Sequence, residues 1–132
     1  MKISANVKSE FESHLVVVET NGLVKQIEIA PKPTGYGSSV NGGEMLVLAL
    51  ATCFCNDIYR EAAKRNLVVT GVEVACTADF GADGEAGANF QYKTKITSDA
   101  SDEEIAELIR HTDEIAEIHN TLRKGVTVNL IT

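Results

Sequence analysis

The sequence predicts an α+β fold, and two observations lead to it. An Asn21-Gly22 pair separates two apolar, strand-like segments, which is a strong signal for an antiparallel hairpin. One long helical segment then interrupts the strands without the regular strand–helix alternation of a parallel sheet. The predicted order is three strands, a helix, two strands, one or two helices and a last strand. A chain of 132 residues of this kind predicts a single domain over residues 1–132.

The first thirty residues have the pattern of three strands. Ile3, Ala5 and Val7 alternate with polar residues, as in a half-buried strand. The segments HLVVVET and LVKQIEIA flank the Asn21-Gly22 turn. Residues 31–43 contain both prolines and four glycines and therefore predict a loop. This loop lacks the third glycine of a dinucleotide fingerprint and the lysine of a P-loop, so we expect no phosphate site in it.

Residues 44 to about 65 predict one helix. Thr52 is the only polar side chain from Met45 to Cys55, so this half should be covered on every side. From Asn56 onward charged residues recur at three- and four-residue spacing and predict one solvent-exposed face: Asp57, Arg60, Glu61 and Lys64. One sheet in so short a chain covers about one side of a helix. The apolar half therefore predicts a homodimer.

The last third of the sequence predicts two strands, a broken helix and a final strand. The strands, residues 68–80 and 89–98, are joined by a segment rich in Gly and Asp. Ser101 should cap the helix that follows, with a break near His111-Thr112 and an end at Gly125. The alternating segment VTVNLI predicts a closing strand.

Composition limits the function classes. The net charge of −7 argues against nucleic-acid binding, which requires a basic face. No apolar run is long enough for a membrane span, and the N-terminus is unlike a signal peptide. Three cysteines at no scaffold spacing fit a reducing compartment, so we expect a cytoplasmic protein with no cofactor and no metal site.

Cys53 and Cys55 are the candidate reactive groups. On a helix, residues two apart point about 200° away from each other, which disfavours a shared metal ion or a mutual disulfide. A cysteine on an apolar helix is either a small hydrophobic residue or a nucleophile activated by a nearby cation or hydrogen-bond donor. The spacing leaves both alternatives open.

Residues 41–76 resemble the OsmC/Ohr family of thiol-dependent hydroperoxide peroxidases. Asn41 matches the family's helix start, and Ala51-Thr52-Cys53-Phe54 matches its cysteine motif. The tail HNTLRKGVTVNLI is similar to the family's C-terminal segment. The resemblance implies an OsmC-like fold with an antiparallel sheet, a central buried helix and an intertwined homodimer. It also implies that Cys53 attacks an organic hydroperoxide in an apolar pocket between subunits, and that a second cysteine then forms a disulfide that a dithiol reopens. Without such a cysteine, an external thiol would be the direct reductant.

The sequence departs from the family pattern at three catalytic positions. Ala116 falls where the second, resolving cysteine belongs, and Gly43 falls where a helix-start glutamate belongs, with Glu44 one residue late. No arginine precedes Arg60. His119, near the resolving position, is either a partly exposed polar residue at a helix end or a group that assists the thiol. The candidate catalytic residues are therefore Cys53, Glu44 and His119. The alternative is a non-catalytic OsmC-fold protein that binds a small hydrophobic ligand in the dimer pocket.

Overall fold

The computed structural model describes all residues from Met1 to Thr132 and confirms the α+β class. All strand pairs are antiparallel. The chain forms two compact units, Met1–Glu44 and Met45–Thr132. No helix is both long enough and apolar enough to cross a membrane.

The first unit is a three-stranded sheet of β1 (Ile3–Glu10), β2 (Ser13–Thr20) and β3 (Leu23–Ile27) in the order β1-β2-β3. The predicted hairpin is confirmed: Asn21 and Gly22 both have positive φ, 49° and 86°, as a two-residue type I′ turn requires. β1 forms as predicted but is exposed along its whole length, so the expectation of a half-buried strand is wrong for the single chain.

The predicted loop is confirmed, and its end caps the long helix α1 (Gly42–Lys64). Between β3 and α1 the only bridge joins Pro31 to Ser38. The side chain of Asn41 makes two bonds with Glu44: Oδ1 accepts from the backbone N–H at 2.8 Å, and Nδ2 donates to Oε1 at 3.0 Å. This reciprocal pair satisfies an otherwise free N–H at the start of the helix.

Helix α1 supplies much of the core of the second unit, and of its predicted solvent face Arg60 and Lys64 are exposed whereas the two acids are not. Phe54, Ile58 and Ala62 pack with Leu108 and Ala116 in one buried cluster. Asp57 and Glu61, which the charge spacing placed in solvent, are each only 3% exposed. Burial is possible because basic side chains neutralise both carboxylates.

Strands β4 (Val69–Asp79) and β5 (Ala88–Ser98) form the predicted pair as a two-stranded sheet. Alternate residues point to the core of the second unit, as the period of two in a strand requires. Those packed against the buried cluster are Val69, Val72, Val74, Tyr92 and Ile96.

Two helices follow, and the break between them lies later than predicted. α2 (Asp102–Ile115) begins at the predicted cap, Ser101, which forms a capping box with Glu104. The helix continues through Thr112, whose buried hydroxyl donates to the Leu108 carbonyl at 2.7 Å. The break comes at Ala116, whose backbone is extended, and α3 (Glu117–Lys124) starts there. Gly125, at φ 63°, ends α3 as predicted.

The predicted last strand is absent. Residues 126–132 have no regular structure, and Val128 and Leu130 are each 92% exposed. An extended segment becomes a strand only when a neighbouring strand accepts and donates its backbone hydrogen bonds. No strand of the same chain pairs with this segment.

Candidate functional site

The thiol of Cys53 faces the start of α3. The helix break at Ala116 leaves the first N–H groups of α3 without intrahelical partners. One of these, the backbone N–H of Ile118, acts on the sulfur in the direction that lowers the pKa of the thiol. Cys53 is half-buried, so solvent still reaches this part of α1.

Two carboxylates surround the same sulfur. The thiol donates to Oδ2 of Asp57, one helical turn further along α1, at 3.5 Å. Glu117, the first residue of α3, brings a second carboxylate, and the ligand atoms of the three side chains lie within 4.8 Å of one another. Asp57 is buried, whereas Glu117 is exposed. The thiol therefore lies between one buried and one solvated negative group.

This environment keeps the thiol protonated. Burial raises the pKa of Cys53, the hydrogen bond from Ile118 lowers it, and Asp57 and Glu117 raise it further. An activated thiolate needs the opposite balance. A reactive thiol needs a nearby cation or hydrogen-bond donor, and the backbone amide of Ile118 is the donor near this sulfur.

The guanidinium of Arg60 forms ion pairs with two carboxylates of its own helix, α1. Arg60 donates through Nη1 to Oδ1 of Asp57 at 2.7 Å and through Nε to Oε1 of Glu61 at 2.9 Å. Two further side chains contact Glu61. Lys64 Nζ lies 2.8 Å from Oε1, and His111 Nε2 lies 3.3 Å from Oε2. Hydrogen bonds from Lys64 and Arg60 lower the pKa of Glu61 to about 2.

Thiolate, aspartate and glutamate are ligand types that zinc accepts, and Cys53, Asp57 and Glu117 bring one of each together. Arg60 already neutralises Asp57, and a divalent ion would compete with that guanidinium. We assign no metal to the cluster, and the expectation of no metal site stays a prediction.

His119 is buried, which corrects the expectation of a partly exposed residue at a helix end. Its imidazole ring is packed between two aromatic rings. The imidazole centroid lies 4.6 Å from the ring centroid of Tyr92 and 5.7 Å from that of Phe54, and the residue is 4% exposed. Neither ring nitrogen has a hydrogen-bonding partner within the protein. Burial lowers the pKa of His119, and the charge of Arg123 lowers it further. The imidazole is therefore neutral at neutral pH.

Glu44, the third candidate, has a capping contact of its own. Its carboxylate accepts from Asn41 and is exposed at the end of the first unit. A catalytic role for Glu44 stays a prediction.

The other two cysteines lie at separate places on the second unit. Cys76, whose pKa is raised by burial, lines a cavity of about 120 Å³. Cys55 lies beside Ala51, Thr52, Asn56 and Val74 at a shallow depression. All three cysteines are free thiols. The remaining residues that line the cavity of Cys76 are Leu50, Phe90, Gln91, Tyr92, His119, Leu122 and Arg123.

Asp57 is the residue of this site that the sequence analysis missed. Its position four residues after Cys53 was the available signal, because residues four apart on a helix lie on the same face. The recurrence of charges along α1 instead suggested a solvated stripe. The structure brings Cys53, Asp57 and the start of α3 together.

The sequence matches the family model described as OsmC-like protein over residues 35–131. No curated protein matches the chain. Among solved structures, an OsmC-like protein from Mycoplasma pneumoniae is 20% identical with a TM-score of 0.61, covering 93% of this chain and 89% of that chain. A putative organic hydroperoxide resistance protein from Vibrio cholerae, with captopril bound in one of its active sites, is 20% identical with a TM-score of 0.60. The match covers 97% of this chain and 88% of that chain.

A third similar structure is an organic hydroperoxide resistance protein OsmC from Legionella pneumophila. It is 20% identical with a TM-score of 0.58, and the match covers 95% of this chain and 94% of that chain. Identities this low establish a shared fold, and the chemistry has to be argued from the residues themselves.

Proposed function

Because this chain belongs to the OsmC-like protein family, we propose that it is a thiol-dependent reductase of organic hydroperoxides with Cys53 as the nucleophile. Two of the similar structures are hydroperoxide resistance proteins by name. The observation that carries the proposal is the half-buried Cys53 sulfur at the start of α3, within 4.8 Å of a Glu117 oxygen, where the backbone N–H of Ile118 lowers the pKa of the thiol. A fixed donor of this kind stabilises the negative charge that sulfur carries as it reacts.

The proposed reaction forms no disulfide between Cys53 and a second cysteine of the same site. Ala116, at the start of α3, has no sulfur with which to resolve a sulfenic acid. An external thiol therefore condenses with the oxidised Cys53 to a mixed disulfide and water, and a second external thiol releases the free cysteine and forms the disulfide of the reductant. Oxidative-stress defence is the cellular role that this chemistry would serve.

His119 and Glu44 have structural roles in this proposal. His119 follows Ile118 directly, and its neutral, sealed imidazole fits a role in holding α3 against Phe54 and Tyr92. We propose that it positions the N–H of Ile118. Glu44 is proposed to act by capping α1 through Asn41.

We further propose that the active form is a homodimer. Large apolar side chains on β1, β3 and α1, among them Ile3, Leu23 and Leu48, are more than half exposed in the single chain. In the unpaired tail, Val128 and Leu130 are each 92% exposed. Large apolar side chains left exposed in such numbers are typical of subunit interfaces. Light scattering coupled to size-exclusion chromatography tests the proposal, and a monomeric mass at micromolar concentration would contradict it.

The decisive experiment for the activity compares cysteine variants. Wild-type protein, Cys53→Ser and the matched control Cys55→Ser are incubated with cumene hydroperoxide and dithiothreitol, and peroxide loss is followed. We expect Cys55→Ser to retain the wild-type rate and Cys53→Ser to fall to the background rate. Equal consumption by wild type and Cys53→Ser would exclude the proposed function.

A second candidate function is supported by the raised pKa of Cys53. A protonated thiol beside two carboxylates is what a non-catalytic OsmC-fold protein would have, and the cavity near His119 offers apolar walls for a small hydrophobic ligand. This alternative predicts slow alkylation of Cys53 by iodoacetamide at neutral pH and no peroxide-dependent sulfenic acid. Rapid sulfenylation of Cys53 by stoichiometric hydroperoxide would exclude it.

A further inference from the structure

The arrangement of α1 gives Cys53 a proton acceptor of its own. Asp57 lies one turn after Cys53, and its Oδ2 accepts from the thiol at 3.5 Å, within the longer range of sulfur hydrogen bonds. The other oxygen, Oδ1, is held by Arg60 at 2.7 Å. One carboxylate oxygen is thus anchored, and the second is directed at the sulfur that has to lose a proton.

The surroundings of the thiol make such an acceptor necessary. The site lacks a preformed thiolate, because burial and two carboxylates keep the proton on Cys53. A nucleophile in this state needs a general base within hydrogen-bonding distance. His119 is a poor alternative, because neither of its ring nitrogens is accessible or hydrogen-bonded. Glu117 is exposed, and solvent screens its charge.

Resting on the proposed peroxide reductase function, we propose that Asp57 is a catalytic residue that takes the thiol proton of Cys53 and returns it to the departing alkoxide. The sulfur attacks the terminal oxygen of R–O–O–H, the O–O bond breaks, and its electron pair leaves with RO⁻. Cys53 becomes S–OH, oxidised by two electrons, and the proton held by Asp57 converts RO⁻ to ROH. An external thiol then condenses with S–OH to a mixed disulfide with release of water, and a second external thiol releases Cys53 as the free thiol and leaves as a disulfide.

Each neighbour has a defined part in this step. Arg60 is a positioning residue, since it fixes Asp57 without touching the sulfur. The N–H of Ile118 faces the sulfur and compensates the charge that appears as the proton leaves. Asp57 touches the reacting sulfur directly, which distinguishes it from Arg60.

Two reactions of the same thiol distinguish a residue that returns a proton to the leaving group from one that is only a negative charge near the sulfur. Iodoacetamide alkylation releases iodide, which needs no proton, whereas peroxide cleavage releases an alkoxide that does. In Asp57→Asn, the loss of a carboxylate beside the sulfur should make alkylation faster. Oxidation by cumene hydroperoxide should become slower by about 10²-fold, since general acid–base catalysis contributes on that scale.

Glu117→Gln is the matched control, because it removes the other carboxylate near the sulfur. It should accelerate both alkylation and oxidation. If Asp57→Asn also accelerates both reactions, Asp57 has no role in proton transfer. If it slows both reactions equally, Asp57 returns no proton to the alkoxide. Either result overturns the proposal.

A measurement on the wild type keeps the proposal open to disproof if Asp57→Asn folds poorly. Proton transfer to Asp57 during the attack should give a normal solvent deuterium isotope effect on the oxidation of Cys53. The absence of any isotope effect would overturn the proposal. The proposed function fails in a different way, because Cys53→Ser would then consume peroxide at the wild-type rate whatever residue 57 is.

Discussion

The guanidinium of Arg60 binds Asp57 and Glu61 together, and so joins the environment of the thiol to the core of the second unit. Its Nη1 donates to Asp57 at 2.7 Å and its Nε to Glu61 at 2.9 Å. Both acids are buried, while the Arg60 side chain is partly exposed. A single cation at the surface therefore supports two carboxylates in the interior, one of which touches Cys53.

Arg60→Gln should lower both stability and thiol reactivity. The loss of the cation leaves Asp57 buried without a charged partner, and after allowance for the exposure of Arg60 we expect a loss of about 1–3 kcal/mol in the free energy of unfolding. The uncompensated carboxylate should raise the pKa of Cys53 further and slow iodoacetamide alkylation at neutral pH. Urea unfolding and alkylation kinetics measure the two effects.

The control for this variant is Lys8→Gln, which removes an exposed ion pair with Glu10. Exposed pairs contribute little, so we expect almost no change in stability. Equal losses in the two variants would contradict a special role for Arg60.

Glu61 should make stability depend on pH in the acid range. Its pKa is lowered to about 2 from an ordinary value of 4.5, so its stabilising contribution is complete above pH 4.5 and is lost as pH falls toward 2. Glu61→Gln should therefore cost about 1–2 kcal/mol at pH 7, after discounting for its solvated partners, and progressively less in acid. A stability difference that is independent of pH would contradict this assignment.

The features that the sequence predicted correctly are set by nearby residues. The Asn21-Gly22 turn, the Ser101 cap and the Gly125 end each depend on a few backbone groups in their own segment. The helix of Cys53 was also predicted within a few residues, because a long apolar run between loop signals has few other solutions.

The features that were missed depend on partners distant in sequence. Glu61 also contacts His111 from α2, and no periodicity within α1 indicates that contact. The continuation of α2 past the expected break buries Thr112 completely, and the sequence alone does not show that this polar residue lies in the interior. The closing strand was predicted from its alternation, but alternation does not supply the neighbour that a strand needs.

His119 should make the protein less stable below neutral pH. Its pKa is lowered on folding from 6.5, so the neutral form favours the folded chain, and this contribution is lost as pH falls below 6.5. We expect the free energy of unfolding of the wild type to fall more steeply than that of His119→Phe between about pH 7 and about pH 5. Urea titrations at both pH values measure the slopes.

The replacement in His119→Phe is chosen to preserve packing between the rings of Tyr92 and Phe54. Because it also removes two nitrogens that lack partners, its stability at neutral pH should be close to that of the wild type. Parallel pH dependences in the two proteins would show that His119 does not titrate on unfolding.

Ala116→Cys should convert the one-cysteine site into a two-cysteine site. Ala116 is 0% exposed and begins α3, the helix whose Ile118 N–H contacts the Cys53 sulfur. After stoichiometric cumene hydroperoxide, we expect a disulfide between Cys53 and the introduced thiol, whereas the wild type should gain one oxygen on Cys53. Whole-protein mass spectrometry distinguishes the two products.

Thr121→Cys, which places a thiol on the exposed part of α3, is the control and should form no such bond. If Ala116→Cys accumulates sulfenic acid like the wild type, the start of α3 does not hold the two sulfur atoms in bonding geometry, because a sulfenic acid condenses readily with any thiol that can reach it.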